Sequence, residues 1–166
     1  MEINDPFFIE VLESLEKHKV KYLLVGGMAV AYYGYHRYTG DMDLWLEPTS
    51  KNLEKLYLAL GEDLKYDQSI IKEIKKNRDL KNPTPIRLFS DDEIFKVDLM
   101  TNILQEKFDW KEAIKDAKEF ELENLKIPVI HINHLIYLKE NSKRVDGNMK
   151  DLIDAEQLKK ILKNKK

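Results

Sequence analysis

The run Val25-Gly26-Gly27 stands thirteen residues before Asp41-Met42-Asp43, and a third acid, Asp98, lies in the similar run Phe95-Lys96-Val97-Asp98-Leu99-Met100. Glycines lack a Cβ, so Gly26 and Gly27 let backbone N–H groups come close to phosphate oxygens. Residues two apart on a strand share a face, which would set Asp41 and Asp43 side by side. Three gathered carboxylates repel one another: at about 6 Å and an effective dielectric near 20, each pair costs roughly 3 kcal/mol. A bound cation or a raised pKa offsets that cost. Oxygen ligands, with no cysteine and no histidine cluster, favour magnesium or manganese over zinc. Together these features point to chemistry on a nucleoside triphosphate. Two carboxylate-bridged ions could activate an attacking hydroxyl and stabilise a leaving pyrophosphate. An Asp-x-Asp strand alone is ordinary on any solvated strand face. The signal lies in the order: strand, Gly-Gly, short helix, Asp-x-Asp strand, then a later Asp flanked by apolar residues.

The elements that must position these residues follow from local patterns. Asp5-Pro6 reads as N-cap and first position of a helix through about Lys17, with Phe8, Val11, Leu12 and Leu15 as its apolar stripe. Lys21 to Val25 reads as a buried strand, and Met28 to Tyr33 as a brief helix that stops at Gly34. Asp41 to Glu47 alternates and ends at Pro48, a second strand with Met42, Leu44 and Leu46 inward and Asp41, Asp43 and Trp45 on the other face. Thr49 or Ser50 caps a helix with Leu53, Leu56, Tyr57 and Leu60 inward. A helix is expected around 67–77. Ile86 to Ser90 and Ile94 to Met100 form a hairpin across Asp91-Asp92-Glu93, which turns Lys96, Asp98 and Met100 outward. If the Asp98 and Asp41/Asp43 strands are neighbours, the three acids can meet. A helix near 109–119, a strand at about 127–132, a helix capped by Asn133 through Asn141, and a last helix capped by Asn148 complete the pattern. That last helix carries Leu152, Ile153, Leu158 and Ile161. The fold class is α/β (α+β), with helices around a small mixed sheet.

A length of 166 residues suits one domain, 1–166, with a respectable core. The absence of cysteine excludes a disulfide framework, thiolate metal sites and a cysteine nucleophile, and fits a cytoplasmic location. No apolar run approaches the roughly 20 residues needed to cross a bilayer. The start Met1-Glu2-Ile3-Asn4-Asp5-Pro6 lacks the features of a signal peptide. A formal net charge of −2 offers no global attraction to nucleic acid or membrane, so long nucleic acid is not favoured as a partner. The lysines crowding the C-terminus, from Lys159 to Lys166, read as a solvated helix end.

On these motifs the chain resembles the nucleotidyltransferase superfamily whose best-known member is DNA polymerase beta. That pattern is an apolar residue, Gly, then Gly or Ser, a gap, and acid-apolar-acid-apolar; here it reads Val25-Gly26-Gly27 and Asp41-Met42-Asp43-Leu44. The segment Arg37-Tyr38-Thr39-Gly40-Asp41-Met42-Asp43-Leu44 is especially similar to a small bacterial branch that includes lincosamide-type and toxin/antitoxin-type nucleotidyltransferases. Lys150-Asp151 before the last helix also looks like these small proteins. The motif core spans about 20–100, and the helical part about 105–166. The resemblance implies transfer of a nucleoside monophosphate from an NTP, with ATP the default, to an unknown acceptor hydroxyl on a small molecule, protein or tRNA. Asp41 and Asp43 would bind both Mg2+ or Mn2+ ions. Asp98 would bind the catalytic one and help deprotonate the acceptor. Gly26 and Gly27 would hold the triphosphate, with Arg37 a phosphate contact. Many active members carry Ser where Gly27 stands, so a side-chain phosphate contact is missing here.

Other residues have a functional and a plain reading. His36 could touch phosphate or sit in a surface loop. Lys96 could meet a phosphate or form a salt bridge with Asp98, the latter being the simpler expectation. Lys139 and Lys150 could reach the cleft, though solvated lysines are the default. His131 and His134 read as structural, and Tyr32, Tyr33, Tyr35 and Tyr38 as packing or as a stacking platform. Trp45 could line an acceptor pocket. The alternative to an enzyme is a catalytically inactive binding protein with the same fold, a toxin or antitoxin partner.

Overall fold

The computed structural model describes residues 2–77, 79–142 and 149–164. Asp5 caps α1 (Pro6–Lys17) by accepting from the Phe7 N–H at 2.9 Å, and Pro6 sits where its missing N–H is not needed. Phe8, Val11, Leu12 and Leu15 are all buried. The chain enters β1 (Tyr22–Val25), whose four residues are buried, and passes without a linker into α2 (Gly26–Tyr32). This helix starts two residues earlier than its small side chains suggest, because Gly26 itself makes the turn at φ +66°. β2 (Asp41–Leu46) leads to α3 (Ser50–Glu62), capped by Thr49, with Leu53, Leu56, Tyr57 and Leu60 inward. α4 (Gln68–Asn77) precedes the hairpin of β3 (Ile86–Phe89) and β4 (Lys96–Met100).

The C-terminal third departs most from expectation. The helix expected at 109–119 is only α5 (Trp110–Lys115), closed at its start by a capping box between Asp109 and Glu112. The rest becomes β5 (Lys118–Leu122), a strand the charged run conceals, hairpinned to β6 (Leu125–Val129) through Glu123 at φ +53°. Its turn lacks glycine, so no turn signal marks it. The cap of α6 (Ile132–Glu140) is His131 and not Asn133: the His131 Nδ1 accepts from the Asn133 N–H at 3.3 Å. On α7 (Met149–Asn164) the buried residues are Asp151, Asp154, Ala155 and Leu158, while Leu152 and Ile153 are exposed. The cap expected at Asn148 lies outside the described residues.

One six-stranded sheet has the order β3-β4-β2-β1-β6-β5. Pairing is parallel for β2 with β4 and β1 with β6, and antiparallel elsewhere. Met42, Leu44, Leu46, Val97 and Leu99 are wholly buried on one face. α1 covers that side, where Phe8 meets Phe95 edge-on with ring centroids 5.3 Å apart, and its Ser14 hydroxyl donates to the Ala59 carbonyl of α3. α2, α6 and α7 form a second group, α2 touching β1, β2 and α6.

Burial above all, then Lys118 and His134, holds the His131 imidazole below its usual range, against a weaker pull from Asp116. A cap acceptor must stay neutral, so the sign is definite: the folded state binds this proton less well than the unfolded chain. His131 therefore contributes stability that is complete above about pH 6.5 and is lost as pH falls through its lower folded value. In urea titrations at pH 7 and pH 5, the wild type should lose stability that His131→Asn, an uncharged cap, does not. Equal losses in both proteins would remove His131 as the cause.

Candidate active site

Parallel pairing of β2 with β4 sets Asp43 directly opposite Asp98, and Asp41 opposite Lys96. The neighbouring strands carry the acids on one face, and that placement follows from burying Met42, Leu44, Val97 and Leu99 on the other. Among the described residues, Lys96 and Arg87 reach Asp41 and Asp98. Lys96 Nζ lies 3.2 Å from Asp41 Oδ2 and 3.7 Å from Asp98 Oδ2. Arg87, opposite Asp98 in the β3–β4 ladder, places Nε 3.1 Å from Asp98 Oδ1. Lys96 thus forms the salt bridge expected of it. Arg87 escaped notice in the sequence, although the alternation Ile86-Arg87-Leu88 in a hairpin would have put it there.

Gly26 is tied to this cluster sterically. A Cβ on it would lie 1.9 Å from Asp43 Oδ2, so no side chain is possible while Asp43 keeps its place. A cavity of about 350 Å³ opens beside the pair, with Gly26, Asp43, Lys139 and Asp151 on its polar side and Met100, Leu135 and Leu138 among its apolar walls.

Arg37 and Lys139 enter a buried network. Arg37 grips Asp154 with both Nε and Nη2 at 2.7 Å, and its Nη1 donates to the Tyr38 carbonyl at 3.2 Å. Lys139 Nζ lies 2.6 Å from Asp151 Oδ1 and 2.9 Å from Asp154 Oδ2. Asp154 is wholly buried. Burial pushes its carboxyl up, but Arg37 and Lys139 together outweigh this and hold it below the usual carboxylate range. Lys139, expected in solvent, is buried because two acids of α7 meet it. Asp151 is marked in the sequence only through the resemblance and Asp154 not at all, since an i, i+3 pair of aspartates on a polar helix reads as its wet face.

The remaining candidates divide simply. His36 and Lys150 are exposed. Tyr33 donates to the Ile130 carbonyl at 2.8 Å, and Tyr32 packs against Tyr33 and Phe120. Tyr38 projects outward, 71% exposed. Trp45, on the acid face, is buried beneath Phe108 and Trp110, whose Nε1 donates to its carbonyl at 3.1 Å. His134 stacks on Phe108 at 4.2 Å.

The donor set suits a hard divalent cation in kind, being carboxylates on one strand face with Asp43 and Asp98 in register. As they stand Asp41 and Asp98 are turned to Lys96 and Arg87, and among the described residues no three such side chains close into a metal centre.

A strand that turns through glycine into a short helix, beside two parallel strands bearing opposed acids, defines a nucleotidyltransferase fold. The model of a family described as "Nucleotidyl transferase of unknown function (DUF2204)" matches residues 6–165, and the chain belongs to that family. Among solved structures it is similar to the lincosamide antibiotic adenylyltransferase LnuA in its lincomycin-bound form. The TM-score is 0.54 at 16% identity, over 95% of this chain and 98% of that one, a likeness of fold. A search of curated proteins finds no significant match. No helix among the described residues is long and apolar enough to cross a membrane.

Removing the shared acid of the network leaves Arg37 and Lys139 under-compensated in a buried place. Asp154→Asn should cost about 3–5 kcal/mol in urea denaturation. A change under about 1 kcal/mol would mean that water already compensates these charges.

Proposed function

We propose that this protein transfers a nucleoside monophosphate from an NTP, ATP by default, to an acceptor hydroxyl and releases pyrophosphate. The observation that carries this reading is Asp43, opposed to Asp98 across the β2–β4 ladder, lining a cavity together with Gly26. The triphosphate would lie along Gly26 and Gly27, where the missing Cβ atoms allow close approach of the backbone. Lys139, fixed by Asp151 and Asp154, offers a cation on the same cavity wall. Asp98 would accept the proton of the acceptor hydroxyl, whose oxygen forms the new bond to the α-phosphorus. The bond from that phosphorus to the bridging oxygen of the β-phosphate breaks, and pyrophosphate departs with the electron pair. Asp41, Asp43 and Asp98 would hold Mg2+ or Mn2+, which supplies charge neutralisation for the phosphates and the leaving group. Lys96 would exchange its contact with Asp41 for one with solvent or phosphate as that happens.

The apolar walls and the cavity volume suit a small acceptor or a nucleobase better than a long nucleic acid. A cytoplasmic setting fits a consumer of NTP. One observation favours the rival reading, a non-catalytic binding protein of the toxin/antitoxin partner kind. Lys96 and Arg87 already lie against Asp41 and Asp98, which lowers the cost of holding those two acids together without an ion.

Calorimetric titration of each NTP, with and without Mg2+, separates the two, followed by a transfer assay with radiolabelled NTP. Binding should require the metal and vanish in Asp43→Asn and in wild type treated with chelator. Loss of the base in Asp98→Asn should lower transfer by about 10²–10⁴-fold. An absence of NTP binding in every condition, with the protein folded, would leave the partner reading.

A further inference from the structure

Gly27 differs from Gly26 in why it must be glycine. Gly26 has a left-handed backbone, whereas Gly27 does not, so its conformation would admit any residue. What excludes a side chain there is crowding. A Cβ on Gly27 would lie 2.8 Å from Thr39 Oγ1 and 3.2 Å from both Thr39 Cβ and Arg37 Nη2. The space that a side chain of residue 27 would fill is thus held by a hydroxyl and a guanidinium from the loop before β2.

Arg37 keeps unused donor capacity, and the one proton of the Thr39 hydroxyl is held only by a weak bond that a phosphate oxygen can replace. The Thr39 hydroxyl makes one long bond, to the Asp41 carbonyl at 3.3 Å, and Thr39 is only half-buried. Each terminal guanidinium nitrogen carries two protons, and Arg37 spends one from Nη2 on Asp154 and one from Nη1 on Tyr38. The Asp154 grip fixes the guanidinium plane, so Nη2 is pre-positioned beside the turn. Asp43 flanks the same turn on the Gly26 side. A phosphate lying on Gly26 and Gly27 would therefore have Asp43 on one side and, on the other, Arg37 Nη2 and a Thr39 hydroxyl that turns from the Asp41 carbonyl to the phosphate.

We propose that Thr39 is a phosphate-binding residue of this site. Its hydroxyl, placed over Gly27, donates to a phosphate oxygen of the NTP, and Arg37 Nη2 donates beside it. The proposal rests on the NTP reading given above. It assigns to Thr39 the side-chain contact that residue 27 cannot make, and it explains the glycine as the consequence of that choice.

The test is Mg2+-dependent NTP binding by calorimetry, run on wild type, Thr39→Val and Thr39→Ser, with circular dichroism as the check of folding. Thr39→Val keeps the shape and removes the donor, and should weaken NTP binding about ten-fold or more, as for a hydrogen bond to a charged group. Thr39→Ser restores the hydroxyl and should rescue most of that loss. Binding of the corresponding nucleoside, which has no phosphate, should be the same in all three. The double variant Gly27→Ser/Thr39→Ala moves the hydroxyl across the 2.8 Å gap and should also bind NTP more tightly than Thr39→Val. Undiminished NTP binding by Thr39→Val overturns the proposal while leaving the NTP site in place. An equal loss for nucleoside and NTP, or no recovery in either hydroxyl-bearing variant, overturns it in favour of a structural role at the start of β2. No binding of NTP to folded wild type overturns both this proposal and the reading on which it rests.

Discussion

Parallel pairing of β2 with β4 governs the rest of the molecule, because it is the contact that brings acids from distant parts of the chain onto one strip of sheet. Adjacent strands run roughly 4.8 Å apart, so carboxylates at matched register are close neighbours. Left alone they would push the strands apart. Two features prevent that. Met42, Leu44, Val97 and Leu99 are wholly buried on the opposite face, and a slip of one residue would bury the acids and expose those four. Lys96 and Arg87, supplied by β4 itself and by β3, lie against Asp41 and Asp98. Apolar burial sets the register, and local cations reduce its electrostatic cost.

The second constraint is the buried charge network that ties the loop after α2 to the two C-terminal helices. Arg37 and Lys139 share Asp154, and Lys139 also holds Asp151. Such groups are costly to bury singly and tolerable when fully paired, so their geometry admits little freedom. The consequence for the site is positional. Arg37 is anchored where its Nη2 adjoins Gly27, and Lys139 is anchored in the wall of the cavity that Asp43 also lines. The C-terminal helices thus shape a site whose acids and glycines all come from the first hundred residues.

Fold conservation at 16% identity to a lincosamide adenylyltransferase is consistent with how few residues these constraints require. A glycine with φ +66°, an alternating strand with acids outward, and an apolar-flanked acid on a neighbouring strand reproduce the framework. The cavity walls are drawn largely from residues 100–105, α6 and α7, outside that framework.

Much of this was legible in the linear chain. The Asp5-Pro6 cap, the buried run into Gly26-Gly27, the alternation of Asp41 to Leu46 and the hairpin before Asp98 are all near-neighbour patterns, and each states its own element. The strand β5 was not legible, because its alternation is masked by charged residues and its turn uses Glu123 in a left-handed conformation in place of glycine. The His131 cap was hidden for a related reason, since an imidazole is an acceptor only when held neutral. The types and spacing of residues sufficed to place the acids on one strand face and the glycine turn ahead of a short helix. Why Gly27 has no side chain, and where Arg37 and Lys139 are committed, depend on partners up to 117 positions away. Local sequence encodes backbone preference and face, but the pairing of buried charges is decided only when the helices and the sheet close on one another.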